Sequence, residues 1–324
     1  MKKVSCYVAV VVFILFSLSA FVVASEVKEH KTAIVLASFG TSYPDALKAI
    51  TNIGDSVKKA FPNTMVKYAF TSNIIRKIWH KRQNDENFKK KNKSIAEKFC
   101  YIKGPLATIA DLQDKGYDTI VVQSTHIYAG EEYANLCSYI DGLNSIKTLR
   151  AKSMPFNKLV IGRPALGKAG TAHDYHEDIE IAAKALASDV KSAAKKNAAL
   201  VYMGHGNEYF CTGAYIELQD VMNKMYPKTR VFIGTVEGFP SLDNVIAGLK
   251  HTGIKNILLK PFMIVAGDHA NNDMASDEED SWKTAFTKMG INVQCDVTGV
   301  GENDKWADIY VNHIAELMKD NNIK

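Results

Sequence analysis

Four side chains in this sequence of 324 residues could together bind a divalent ion and accept protons: His205, Glu237, His269 and Glu132. His205 stands in Gly204-His205-Gly206, just past the apolar run Ala199–Met203. Glu237 follows the run Arg230–Thr235 and precedes Gly238-Phe239-Pro240. His269 stands in Ala266-Gly267-Asp268-His269, beyond Ile257-Leu258-Leu259. Two imidazoles and one carboxylate suit a borderline divalent ion, and three protein ligands leave coordination positions open. Structural sites are usually closed and four-coordinate, so an incomplete set suits an ion that must be handed on. Each residue also has a plainer reading when taken alone: His269 as a surface loop residue, Glu237 as a helix-start carboxylate.

Competing chemistries lack their residues. A phosphohistidine mechanism needs an arginine before the histidine to hold phosphate, and that position is Gly204. No Walker motif is present, and Gly299-x-Gly301 lacks a third glycine, so nucleotide signals are absent. A net charge of +5 is too mild to argue for nucleic acid. His126 ends an apolar run; it reads either as a satisfied histidine at a cleft edge or as a ligand contact, axial ligation of a haem included.

The elements that must position these groups alternate between strand and helix. Strands are predicted over Ala33–Ala37, Val66–Phe70, Thr119–Gln123, Lys158–Gly162, Ala199–Met203, Arg230–Thr235, Asn256–Lys260 and Asn292–Asp296. Thr41-Ser42 and Pro44 predict a helix start. Thr171–Lys196 reads as one alanine-rich crossing helix, and a closing helix carries Trp306, Ile309, Tyr310, Ile314 and Leu317. Ser276-Asp277-Glu278-Glu279 has the capping-box pattern; its acids suit a helix dipole or, in a rival reading, collect metal. Residues 121–135 echo residues 258–272, placing Glu132 on His269 and Ala129-Gly130 on Ala266-Gly267. Residues 33–41 echo residues 199–207, placing Phe39 on His205. The expectation is an α/β fold of two similar lobes, each a four-stranded parallel sheet flanked by helices, with the site in the cleft between them.

Residues 1–24 read as a signal peptide, with Lys2-Lys3, an apolar stretch from Val8 to Val23 and a cleavage site at Val22-Val23-Ala24. The rival is an uncleaved anchor. Cleavage would leave a periplasmic protein with no stable membrane association, made of an N-terminal lobe over 25–170 and a C-terminal lobe over 171–324. The four cysteines beyond the leader have no metal spacing and read as buried free thiols, or as a disulfide in an oxidising compartment. Arg76–Lys103 holds ten Lys or Arg and reads as a solvated helix and loop, an insertion (around 80–104) outside the compact core, or as a basic rim attracting an acidic ligand. The oligomeric state is left open, a homo-oligomer included.

Ser38-Phe39-Gly40-Thr41-Ser42, Ala69-Phe70-Thr71-Ser72, Gly130-Glu131-Glu132-Tyr133, Met203-Gly204-His205-Gly206, Val236-Glu237 and, above all, Ala266–Asp277 occur in this order. Together they resemble the anaerobic sirohydrochlorin cobalt chelatases of the CbiK type, from about Thr32 to the C-terminus. The resemblance implies a two-lobed chelatase inserting Co²⁺ into sirohydrochlorin, an acidic tetrapyrrole. It implies His205, Glu237 and His269 as metal-binding positions and Glu132 as an active-site position. A neutral imidazole cannot hold a metal and take a proton at one lone pair. The expected division therefore has His269 and Glu237 holding the ion, His205 alternating, and Glu132 deprotonating the ring or steering the ion from the opposite lobe. Ser38, Thr41, Ser42, Thr71 and Ser72 either hydrogen-bond the macrocycle or cap helices. The leader departs from the family pattern. Two rivals stay open: insertion of Fe²⁺, giving sirohaem or haem-related products, and a non-catalytic periplasmic carrier of tetrapyrrole or metal.

Overall fold

The computed structural model describes residues 30–324 apart from Ser94, Ala96 and His251; the leader read over residues 1–24 lies outside the described residues. The apolar runs form two parallel four-stranded sheets. The first holds β1 (Lys31–Ser38), β2 (Met65–Phe70), β3 (Tyr117–Ser124) and β4 (Lys158–Gly162), in the order β2-β1-β3-β4. The second holds β5 (Ala199–Gly206), β6 (Val231–Glu237), β7 (Asn256–Phe262) and β8 (Asn292–Cys295), in the order β6-β5-β7-β8. Ile34, Val35, Ile120, Val121 and Val122 are completely buried, as in parallel sheets covered by helices on both faces.

The two sequence echoes agree with each other in register. Ala33 pairs with Ile120 in the first sheet, and Ala199 pairs with Ile257 in the second. The echo of β1 on β5 and that of β3 on β7 thus describe one repeated strand pair. Its consequence is positional: the loops after β3 and β7, carrying Glu132 and His269, leave equivalent sheet edges of opposite lobes.

Helix boundaries depart from the sequence expectation in three places. The first helix, α1 (Leu47–Ala60), starts three residues after Pro44, with no side-chain cap. The crossing segment is two helices, α7 (Tyr175–Ala185) and α8 (Ala187–Lys195), starting at the Asp174 cap and interrupted at Leu186. The Ser276 capping box does not start a helix. Ser276–Asp280 forms turns, and Ser281 caps α11 (Trp282–Lys288) instead, accepting from Thr284 N at 3.1 Å. A β-type cap that is itself completely buried outcompetes four solvated residues.

The basic insertion is helical as expected, but it does not stay outside the core. It contains α2 (Asn73–Arg82), α3 (Glu86–Lys91) and α4 (Glu97–Cys100). Its Trp79, Phe99 and Ile102 enter the core around Leu36, Tyr68 and Phe70. Trp79 Nε1 donates to Thr41 O at 2.7 Å, and Arg82 donates to Ser42 O at 2.6 Å. Lys77, Lys81, Lys89, Lys90, Lys91, Lys93 and Lys103 stay exposed, while three apolar side chains enter the core beneath the loop after β1.

The closing helix, α12 (Asp304–Asp320), serves both lobes. Trp306, Ile309 and Tyr310 join the core formed with α7, β5 and α9 (Gly213–Met225). Ile314 and Met318 complete the core of the first sheet with Ile34, Leu36 and Val121. Behind the helix, buried Asp178 accepts from Arg163 Nε at 2.6 Å and Nη2 at 2.9 Å, and meets His313 Nε2 at 3.0 Å. Among the described residues no helix is long and apolar enough to cross a membrane.

Candidate active site

The C-terminal edges of the two sheets face each other across a cleft with a cavity of about 380 Å³. His205 lies within β5, one residue before its end, and Glu237 is the last residue of β6; both extend the strands beyond the sequence expectation. Gly206, with φ +75°, pairs with Glu237, and a Cβ there would meet Glu237 O at 1.9 Å. A Cβ on Gly204 would meet the Tyr215 ring at 2.8 Å. The glycines flanking His205 thus allow packing against the protein's own Glu237 backbone and Tyr215, and His205 lines the cleft.

His269 precedes a single π-helical turn, Ala270–Met274, a geometry frequent at functional sites. The His205 and His269 rings meet edge to face with centroids 4.8 Å apart, and His205 Nδ1 lies 3.9 Å from Glu237 Oε2. The structure thus brings together the three groups that the sequence left 32 to 64 residues apart. Among the described residues, no three His, Cys, Asp or Glu side chains are already arranged to enclose an ion. The three are close but splayed, and side-chain rotation must complete a coordination sphere.

Hydrogen bonds orient both rings. His269 Nδ1 lies 2.5 Å from Asp273 Oδ2, and His205 Nδ1 lies 3.1 Å from Gly206 O. With both partners acting as acceptors, each Nδ1 is the donor, and Nε2 is the ring nitrogen without a protein partner. Asp273 was missed from the sequence; its i+4 spacing from His269 was the signal, hidden because the segment read as a loop.

Glu132 lines the same cavity from the first turn of α6 (Glu131–Asn144), on the opposite lobe. Glu131 beside it accepts from Asn207 Nδ2 of the second lobe at 3.2 Å. On another side of the mouth, Tyr43 Oη donates to Asp268 Oδ1 at 2.9 Å. That bond, with burial and the carboxylate charge adding, raises the Tyr43 pKa. These two lobe-to-lobe bonds join exposed side chains, unlike the buried contacts behind the cleft.

The remaining candidates divide. Ser38 and Thr41 line the cavity. Ser38 Oγ is already paired with Thr125 Oγ1 at 2.7 Å, and Thr41 Oγ1 accepts from Tyr43 N at 3.1 Å. Thr71 is not among the lining residues. Its amide donates to Ser38 O at 2.8 Å, while its hydroxyl is buried without a partner. Ser42 also lines the cavity, whereas Ser72 caps α2, accepting from Ile75 N at 3.3 Å. His126 borders the cavity, and burial lowers its pKa to about 4, so it is neutral near pH 7. Its Nδ1 meets Ser124 Oγ at 2.8 Å, and its Nε2 is sealed from solvent without a partner.

Comparison with known proteins follows the same lines. The family model for cobalt chelatase (CbiK) matches residues 32–319. A sirohydrochlorin cobaltochelatase of Salmonella typhimurium is 32% identical over 290 residues, covering 89% of this chain and 97% of the relative. The sirohydrochlorin cobaltochelatase CbiKC of Nitratidesulfovibrio vulgaris is 27% identical over 290 residues, covering 89% of this chain and 91% of the relative. Among solved structures, Bacillus subtilis SirB with Fe³⁺ superposes with a TM-score of 0.57 at 14% identity, covering 90% of this chain and 97% of SirB. The sirohydrochlorin chelatase SirB of Bacillus subtilis subspecies spizizenii, in complex with cobalt, gives 0.54 at 12% identity, with the same coverage. At these identities the structural likeness speaks for the two-lobed fold.

Proposed function

The chain belongs to the cobalt chelatase (CbiK) family, and from that premise we propose that it is a sirohydrochlorin cobaltochelatase, inserting Co²⁺ into sirohydrochlorin with release of two protons. The observation that carries the reading is the meeting of His205, Glu237 and His269 on one wall of a cleft whose other wall presents Glu132.

The chemistry divides by wall. His269, held through Nδ1 by Asp273, turns Nε2 toward the incoming Co²⁺, and Glu237 supplies a charged oxygen. His205 Nε2 ligates the ion or takes a ring N–H proton, but not both at once. Glu132 accepts the proton leaving on the other face of the ring. Three exchangeable ligands suit an ion that must leave for four ring nitrogens. Apolar side chains such as Ile127, Met263 and Val265 line the cavity and give the macrocycle a dry surface.

Anaerobic incubation of the purified protein with sirohydrochlorin and Co²⁺ tests the proposal; the absorbance of the cobalt product should appear at a rate set by enzyme concentration. Fe²⁺ is the second metal to run, because first-row affinities in such a ligand set do not single out cobalt. Binding of sirohydrochlorin without insertion of either metal would make the protein a carrier. We also propose export, supported by Lys2-Lys3, the apolar stretch and Val22-Val23-Ala24. Cell fractionation with N-terminal sequencing checks it, and a cytoplasmic chain beginning at Met1 would refute it.

A further inference from the structure

Among the described residues, the cleft is lined by four carboxylates, Glu131, Glu132, Glu237 and Asp268, and by no lysine or arginine. Sirohydrochlorin carries carboxylate arms around its rim. An acidic cleft repels those arms, so a cation just outside the lining must receive at least one of them. Arg82 is engaged with Ser42 O and lies over the Trp79 and Phe88 rings, and Lys168 lies over the Tyr133 ring. Arg76 differs. It follows Ile75, which lines the cavity, and it lies within electrostatic reach of Glu132 and Tyr139. Among the described residues it makes no ion pair. Its guanidinium is nonetheless fixed: Nη1 donates to Phe70 O and to Thr71 O at 2.8 Å, and Nη2 donates to Asn73 Oδ1. Gly104 backs it, where a Cβ would meet Arg76 Cζ at 2.9 Å.

A guanidinium has five N–H donors, and three are used here. Nε–H and one Nη2–H have no partner among the described residues and are the donors left for a carboxylate. Arg163 uses the same two donors on Asp178, through Nε at 2.6 Å and Nη2 at 2.9 Å. The geometry points to Arg76 as a specificity residue that takes a carboxylate arm of the tetrapyrrole side-on, at the first-lobe rim beside Glu132. The inference rests on the tetrapyrrole reading of the cleft and adds where the acidic periphery docks. It also gives the basic insertion a ligand-facing residue at its first position.

The test is metal-free binding of sirohydrochlorin to the full chain, followed by absorbance or fluorescence, for wild type, Arg76→Gln and Arg76→Lys. A charge-assisted bidentate contact corresponds to about tenfold to a hundredfold in Kd. Arg76→Gln should weaken binding by that factor. Arg76→Lys should fall in between, because an ammonium keeps the charge but not the fork. In turnover, the KM for sirohydrochlorin should rise while the KM for Co²⁺ stays put. A role confined to bracing residues 70–73 would instead lower thermal stability and leave tetrapyrrole affinity in the folded protein unchanged. Wild-type affinity in Arg76→Gln, with wild-type turnover intact, overturns the inference alone. A wild-type protein that neither binds nor metallates sirohydrochlorin overturns the cleft reading together with it.

Discussion

Replacing Glu132 by glutamine keeps the shape of the side chain and removes its capacity to take a proton. General bases contribute about 10²–10⁴-fold, and the structure places Glu132 toward the lower end. It is only partly buried in the first turn of α6, in a cleft open to solvent, so water can stand in for part of its work. Glu132→Gln should therefore lower kcat by about 10²-fold, or roughly 2.7 kcal/mol of barrier. Because Glu132 faces the ring from the lobe opposite His269, the loss should persist at saturating Co²⁺. His269→Ala removes a ligand, and added Co²⁺ should partly restore its rate. Steady-state rates of both variants over a cobalt series, at fixed sirohydrochlorin, separate the two roles. Equal rescue by cobalt would make Glu132 a metal-steering residue and refute the assignment. Unchanged rates in both variants would remove the cleft from the reaction and favour the carrier.

Other expectations follow from particular contacts. Asp273→Ala frees the His269 ring and should weaken Co²⁺ binding by about tenfold, the lower end for an outer-shell carboxylate, because Asp273 is 45% exposed; titration calorimetry with Co²⁺ measures it. Trp79→Ala should cost about 3–5 kcal/mol in urea unfolding, since Trp79 is fully buried and its Nε1 holds Thr41 O. Asp178→Ala leaves Arg163 and His313 without their buried acceptor and should also cost about 3–5 kcal/mol. Burial raises the Asp178 pKa, but the hydrogen bonds from His313 and Arg163 outweigh it and hold the carboxyl below its ordinary value. Its stabilisation is then complete above the unfolded value near 3.9 and lost as pH falls through the folded one. Unfolding midpoints should drop with pH below about 4, and the Asp178→Asn protein should show a shallower drop.

The parallel strands were legible because burial on both faces writes them as apolar runs, and the echo of Val121–Asn135 in Leu258–Asn272 carried their register too. Glu132, His205, Glu237 and His269 were legible because each follows such a run. The insertion was misread because Trp79, Phe88 and Phe99 are thinly spaced among lysines, and composition averages them away. The capping box at Ser276 satisfied a local rule that the buried Ser281 overrode. Asp273 and Arg76 stayed hidden for a different reason. Each acts through the direction of a bond, His269 Nδ1 to a carboxylate or a guanidinium fork left free, and direction is set only when the fold fixes neighbouring carbonyls and rings.

The closing helix has a consequence for synthesis. The first sheet ends at Gly162, yet Ile314 and Met318, which cover its Ile34 and Val121, lie about 150 residues further on. At 5–20 residues per second, the ribosome needs roughly eight to thirty seconds to deliver them. Until then the first lobe lacks the side chains that cover its apolar face, and a chain cut before Asp304 would leave Ile34 and Val121 without that cover.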